Sequence, residues 1–458
     1  MQLAVPILLA VGGGLTGTAA AQNSHDAELT VNTTSGRYTG FVDASPGGTP
    51  DVNQWRGIRY GQPPVGKRRF LPPLAAEDDG LHRYAREYPT VCLQQAGNYT
   101  GIFWELVPEF QNQEPQGEDC LFLNVWAPRR PALVEGGEKK KGVPVIIWVC
   151  GGRRVEWAKN NIEAFGGDPE RIVIWGQSAG AGLVTSYVYA NGEDPIITGA
   201  IANSGTVGVG PGGDDDESGV NKFSRLAELA GCGGGLEAEE ELACMQEIPA
   251  LRLQAILQSR REEVPMFGAV VDNTTVFANY TERLERGLVA KVPLITGTTS
   301  NEGAAFSEGP FNKSQTTPPP PPPDDQTGPF DCSLREELKD RLHYGHTTYR
   351  YLFAGNFSNI TPRYWLGAMH SSDLPVIFGT HYQFRGNSTE LEWQTSYAME
   401  EMWVAFAMDP SKDPSTSRGL AWPKYSLDSE AVVLFGNGTE AAGLVSASVV
   451  DTSDCSSG

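Results

Sequence analysis

The stretch RIVIWGQSAGAGLVTSYVYA (171–190) decides the fold. Its first part, RIVIW, is a continuous apolar run with no polar alternation. That pattern suits a strand buried on both faces, as in a parallel sheet. The last part, AGAGLVTSYVYA, reads as a helix built from small residues. Between them Gly176-Gln177-Ser178-Ala179-Gly180 fits G-x-S-x-G. A serine on a sharp strand-to-helix turn is exposed at the end of the sheet, and small neighbours let the helix come close to the strand. The Ala179 N–H then points to where an oxyanion would form, near the positive end of the helix. Five residues of this pattern arise often by chance. The strand before them and the small-residue helix after them supply the context that makes Ser178 a candidate nucleophile.

The same grammar extends outward. PVIIWV (144–149) is a second continuous apolar run, with the pair Gly151-Gly152 just after it. The residues from Glu156 to Phe165 suit a helix, which Gly166-Gly167-Asp168-Pro169 should stop. VPLITGTTSNEG (292–303) reads as a strand and then a loop, and Leu391 to Met408 as an amphipathic helix with Trp393, Tyr397, Trp403 and Phe406 among its apolar positions. Residues 30–60 hold short apolar runs broken by Gly, Pro and Asn, which suits an antiparallel ribbon. The class is α/β. There are no internal repeats. Pro318 to Pro323 is expected to be an extended, exposed loop, and Lys139-Lys140-Lys141 a solvated loop tip.

A chain of 458 residues is more than one core needs, although large α/β enzymes use such lengths as one domain. Acidic residues outnumber basic ones by 56 to 35, for a net charge of −21. Such a surface repels polyanions, so no nucleic acid partner is expected. No apolar run reaches ~18 residues, so no transmembrane segment is expected. The opening MQLAVPILLAVGGGLTGTAAAQ is an apolar core followed by small residues, with Ala19-Ala20-Ala21 fitting an A-x-A cleavage site. Residues 1–21 therefore read as a secretory signal, leaving 22–458 as a single domain. N-x-S/T occurs at Asn32, Asn98, Asn273, Asn279, Asn312, Asn356, Asn359, Asn387 and Asn437. Together with the leader, these suggest a glycosylated extracellular protein. That compartment permits disulfides. The seven cysteines are Cys92, Cys120, Cys150, Cys232, Cys244, Cys332 and Cys455, an odd number that leaves at least one unpaired or bonded to another molecule.

A nucleophilic serine needs a general base, and the base needs an orienting acid. Where a serine elbow is used, the chain order is serine, acid, histidine. Of the six histidines, His25 and His82 precede Ser178, which leaves His343, His346, His370 and His381.

Four longer stretches resemble the type-B carboxylesterase/lipase family, which includes cholinesterases and fungal esterases. GIRYGQPPVGKRRFLPP (57–73) resembles its early G-I-x-Y-A-x-P-P-x-G motif. GEDCLFLNVWAP (117–128) resembles its second signature, NIEAFGGDPERIVIWGQSAGAG (161–182) its nucleophile signature, and AIANSG (200–205) the strand that follows. The resemblance implies an α/β-hydrolase fold with a mixed, mostly parallel central sheet. It also implies a secreted carboxylic ester hydrolase that acts on a small-molecule or lipid ester and needs neither metal nor cofactor. Carried over by position, it makes Ser178 the nucleophile, Glu302 in TSNEGAAF the acid and His370 in WLGAMHSSDLPVIFG the base. Ser204 matches a buried serine near the triad. Gly151 and Gly152 match glycines whose N–H groups join that of Ala179 in the oxyanion hole. Cys92–Cys120 and Cys232–Cys244 match family disulfides. Cys332–Cys455 is a plausible third pair, and Cys150 is left over. GQSAG in place of GESAG leans towards the fungal members.

The resemblance breaks after Gly152. The family continues there with a third glycine, a strand and a helix, whereas this chain runs directly into Arg153-Arg154-Val155-Glu156-Trp157. Roughly fifty to sixty residues are absent, the size of one strand–helix crossover unit. A second shortening lies around 318–340. An alternative from a different functional class is therefore a catalytically impaired, esterase-like binding protein. Another is a chain translated from incomplete coding sequence.

Overall fold

A computed structural model of the chain describes residues 29–44, 51–94, 102–110, 115–129, 142–149, 154–207, 221–233, 235–260, 263–264, 267–306, 328–426 and 428–455. Residues 1–21, expected to be a leader, lie outside the described residues, as do Lys139-Lys140-Lys141, Cys150, Gly151, Gly152, Arg153, the proline run and the sequons at Asn98 and Asn312.

Short apolar runs broken by turn residues give short strands. β1 (Thr30–Thr33) pairs antiparallel with β2 (Gly36–Thr39), which also pairs with β5 (His82–Tyr84). β3 (Phe41–Val42) and β8 (Phe122–Pro128) flank β4 (Val52–Arg59) in a second antiparallel sheet. β6 (Val91–Cys92) and β7 (Gln116–Gly117) form a two-residue pair.

The continuous apolar runs form the centre. β9 (Val143–Trp148), β10 (Gly167–Gln177), β11 (Gly199–Asn203), β12 (Leu294–Thr299), β13 (Thr348–Phe353) and β14 (Ala431–Phe435) lie side by side in chain order, all parallel. β15 (Ala442–Ser446) closes one edge antiparallel. Every residue of β11 and β12 is buried, as strands covered on both faces require. Val173 and Trp175 of β10 point into one apolar cluster, and Ile172 and Ile174 into the other. The first cluster lies under the long helix Glu390–Met408, and the second under the helix Ala179–Ala190.

Four helices matter below: α1 (Arg154–Asn161), α2 (Ala179–Ala190), α3 (Gly328–His343) and α4 (Glu390–Met408). α1 runs on as a 3₁₀ turn, Ile162–Phe165, and stops at Gly166, whose φ of 87° is left-handed. The strand resumes at once with Gly167, and its pairing register shifts before Ile172. α4 opens on a capping box in which the Thr389 side chain accepts from Glu392 N and the Glu392 side chain from Thr389 N. Trp403 and Phe406 are buried, as the sequence suggests, but Tyr397 is 53% exposed. Tyr397 stands one turn from Trp393, which stacks on Tyr382, so these rings cover one another on the outer side.

Three disulfides close loops: Cys92–Cys120, Cys232–Cys244 and Cys332–Cys455. One sequon is incompatible with the fold. Asn359 is buried, and its amide donates to His381 O, Ser388 Oγ and Glu392 Oε1, so it offers no site for a glycan. The other described sequon asparagines are exposed. β9 lies at the edge of the sheet, and no described strand pairs with its outer side. Ile146 is 37% exposed there.

Candidate active site

β10 delivers Ser178 at its carboxyl end. The residue has φ 57° and ψ −124°, a backbone conformation that costs a non-glycine residue on the order of 1–3 kcal/mol. The surroundings hold it there. Ser178 N donates to Asn203 O (2.8 Å), and Ser178 O accepts from Gly182 N (3.1 Å) as α2 begins. The motif glycines are required by close backbone approach. A Cβ on Gly176 would lie 2.3 Å from Gly180 O, and one on Gly180 would lie 2.5 Å from Val149 O. The second contact sets the end of β9, just ahead of Gly151 and Gly152 in the chain, against the start of α2. Ala179 follows Ser178 as the first residue of α2, where helix N–H groups lack intrahelical acceptors.

The loops after β12 and β13 supply the other two groups. Glu302 Oε2 lies 2.5 Å from His370 Nδ1, and both side chains are buried. Glu302 Oε1 accepts from Thr299 N (2.7 Å), so the backbone fixes the carboxylate. A carboxylate only accepts, so His370 Nδ1 carries the proton and Nε2 presents a lone pair. Nε2 lies 3.0 Å from the side-chain nitrogen of Gln177, the neighbour of Ser178.

The other downstream histidines do not repeat this arrangement. His343 is exposed. His346 is buried, and desolvation with the nearby Arg341 charge pushes its imidazole down to about 4. His381 meets Ser388 Oγ (2.7 Å) and Glu392 Oε1 (3.3 Å), but both on Nδ1. Its ring therefore cannot carry a proton between the two, and it serves the start of α4.

Sequence reasoning missed two supporting residues. Asn301 joins the acid loop to the base loop. Its backbone N donates to Ala368 O, and its amide donates to Leu366 O (2.8 Å) and Trp365 O (3.2 Å). Asp373, three residues after His370, is fully buried and accepts from Asn203 Nδ2 (3.0 Å) and Tyr351 OH (3.2 Å). Burial, reinforced by the charge of Glu302, pushes its carboxyl up to about 6 against those two hydrogen bonds. Both sit in the stretches TSNEGAAF and WLGAMHSSDLPVIFG that carry Glu302 and His370, but the contacts that give them a role exist only once distant parts of the chain meet. Ser204 is buried at φ 52°, and its Oγ has no hydrogen-bond partner among the described residues. On the outer side of the imidazole, Phe306 and Phe330 each lie 4.9 Å from the His370 ring and stack on one another.

A parallel sheet with helices on both faces, a strained serine between strand and helix, and an acid–imidazole pair at the ends of neighbouring strands define the α/β-hydrolase class. The chain belongs to the carboxylesterase family, whose sequence model matches residues 27–156, 154–318 and 327–450. It is 35% identical over 500 aligned positions to a chlorogenic acid esterase of Aspergillus niger, covering 94% of this chain and 95% of the relative. It is 32% identical to secreted lipase 5 of Gibberella zeae (92% and 91% covered) and 24% identical to a mouse cholinesterase (88% and 82%). The protein is accordingly a carboxylic ester hydrolase by family.

Proposed function

We propose that this protein is a secreted esterase that works through an acyl-enzyme, with Ser178 as nucleophile, His370 as base and Glu302 as orienting acid. The observation that carries this is the 2.5 Å contact between Glu302 Oε2 and His370 Nδ1, with the opposite ring nitrogen turned to the elbow. In the first half-reaction Ser178 Oγ attacks the ester carbonyl carbon and its proton passes to His370 Nε2. Glu302 stabilises the imidazolium, and the alcohol leaves with that proton. In the second, water attacks the acyl-enzyme, gives its proton to His370, and the carboxylic acid departs as Ser178 recovers the proton. The Ala179 N–H, with those of Gly151 and Gly152, holds the oxyanion in both.

Secretion is supported by the leader-like opening and by three disulfides. It also fits a relative named as a secreted lipase. Among the described residues no helix is long and apolar enough to cross a membrane. For the substrate, the paired phenyl rings beside His370 favour a flat aryl group, in keeping with the relative named for chlorogenic acid.

The test is labelling of the secreted protein by a fluorophosphonate probe. Wild type is expected to label and Ser178→Ala to lose the label. p-Nitrophenyl esters of graded chain length, set beside chlorogenic acid, then rank substrates. A second reading has its own support. The family match divides at 154–156, and the alignment to the A. niger enzyme spans 500 positions against 458 residues here. Well-folded wild type that takes no label would identify an impaired, binding-type relative. Transcript sequencing across Gly152–Arg153 distinguishes a genuine short form from incomplete coding sequence.

A further inference from the structure

We propose that Gln177 is a positioning residue: its amide occupies the lone pair of the base His370 at rest and, by a half-turn, accepts from the imidazolium after proton transfer. The inference rests on the triad assigned above and deepens it.

The geometry leaves few alternatives. His370 Nδ1 is committed to Glu302, so neutral His370 has one in-plane lone pair, on Nε2. The Gln177 side-chain nitrogen lies 3.0 Å from it, a hydrogen-bond distance at which the amide donates. No hydrogen bond joins Ser178 Oγ to His370 among the described residues. The residue preceding the nucleophile therefore competes with the nucleophile for its base. Once Nε2 has gained a proton it becomes a donor and would oppose the amide NH₂. Rotating the amide end to end brings the carbonyl oxygen to the same place, where it accepts. An amide can serve both protonation states in this way, whereas a carboxylate serves only the charged one and a thioether neither. Among the described residues, the other ionisable groups facing the ring region are Glu302, Asp373 and Tyr351, while Phe306 and Phe330 are uncharged. All five are unchanged in the variants below.

Hydrogen–deuterium exchange at the imidazole C2 position, read by mass spectrometry on the full chain, follows the titration of His370 whether or not the protein turns over. Gln177→Glu is expected to raise the exchange midpoint by at least one pH unit, because a carboxylate beside Nε2 stabilises the imidazolium. Gln177→Met, which removes both the donor to the neutral ring and the acceptor for the imidazolium, is expected to shift it by less. With p-nitrophenyl acetate, the acid limb of kcat/KM should move in the same order. Three equal midpoints would overturn the proposal, since a residue that only fills space leaves the titration unmoved. Ser178→Ala with the fluorophosphonate probe runs alongside. If labelling survives that substitution the triad assignment fails, while C2 exchange still decides the Gln177 contact.

Discussion

Glu302 and His370 come from loops after two neighbouring strands, and the 2.5 Å contact between them depends on how those loops are tied. Asn301 makes the tie through three hydrogen bonds to the chain at 365–368, two from its amide. Asn301→Ala removes the two amide bonds and leaves the Glu302 and His370 side chains intact. A displacement of about 1 Å in a catalytic group can cost on the order of a hundredfold in rate. The expected result is a kcat lower by roughly 10- to 100-fold with KM within a factor of two, and an unchanged circular dichroism spectrum. Loss of KM alone would place Asn301 in substrate binding instead. In the sequence, Ser178 stands out by its local pattern and context, whereas chain order alone leaves four histidines and only the family resemblance points to Glu302 and His370. Asn301 was not legible, although it sits inside the same TSNEGAAF stretch, because its role exists only once residues 365–368 have been brought beside it.

At the scale of elements, strand positions were legible and helix faces less so. Continuous apolar runs marked β9 and the second half of β10, although only β10 is largely buried, while β12 buries three threonines among its six residues. α3 shows the opposite case. Its charged residues would ordinarily be assigned to solvent, yet Glu337 and Arg341 are buried beneath it. Both carboxylate oxygens of Glu337 lack a hydrogen-bond partner among the described residues. Burial pushes that carboxyl up to about 7; the Arg341 charge opposes the shift and Asp340 adds to it. The folded value lies above the unfolded 4.5, so the native state binds more protons between the two. The associated stability is fully present below pH 4.5 and is lost as pH rises through about 7, with a total cost on the order of 3 kcal/mol. Glu337→Gln should therefore stabilise the protein more at pH 8 than at pH 5, by about 2–3 kcal/mol, as read from urea unfolding midpoints. His346 acts in the opposite sense, because its depressed value removes stability as pH falls, but it is present in both proteins and cancels in the difference. Equal effects at the two pH values would mean that Glu337 titrates alike in the folded and unfolded chain, so that burial does not raise its carboxyl.

Across the whole molecule, the seven strands follow one another in chain order, and the sheet ends abruptly on β9. An apolar strand of this kind ordinarily lies inside a sheet, covered on both faces and paired on both sides. Here Ile146 is 37% exposed, and no described strand pairs with the outer side of β9. Nothing local reveals the anomaly, because a strand, a glycine pair and a helix make an acceptable sequence. The family match divides at this point, between residues 27–156 and 154–318. On the proposal that a strand–helix unit is absent at that point, restoring it should repair both the edge and the oxyanion loop. Inserting the unmatched segment of the A. niger enzyme between Gly152 and Arg153 is expected to raise the thermal midpoint by at least 3 °C. A gain of about 1 kcal/mol already amounts to a few degrees in a domain larger than 150 residues. Backbone amides of β9 should exchange faster than those of β11 in the unmodified chain and approach them in the chimera. Esterase activity should increase at least tenfold, because the loop would regain its third glycine N–H donor. A chimera that melts lower, with β9 already as protected as β11 in the unmodified chain, would show that the short form covers its own edge.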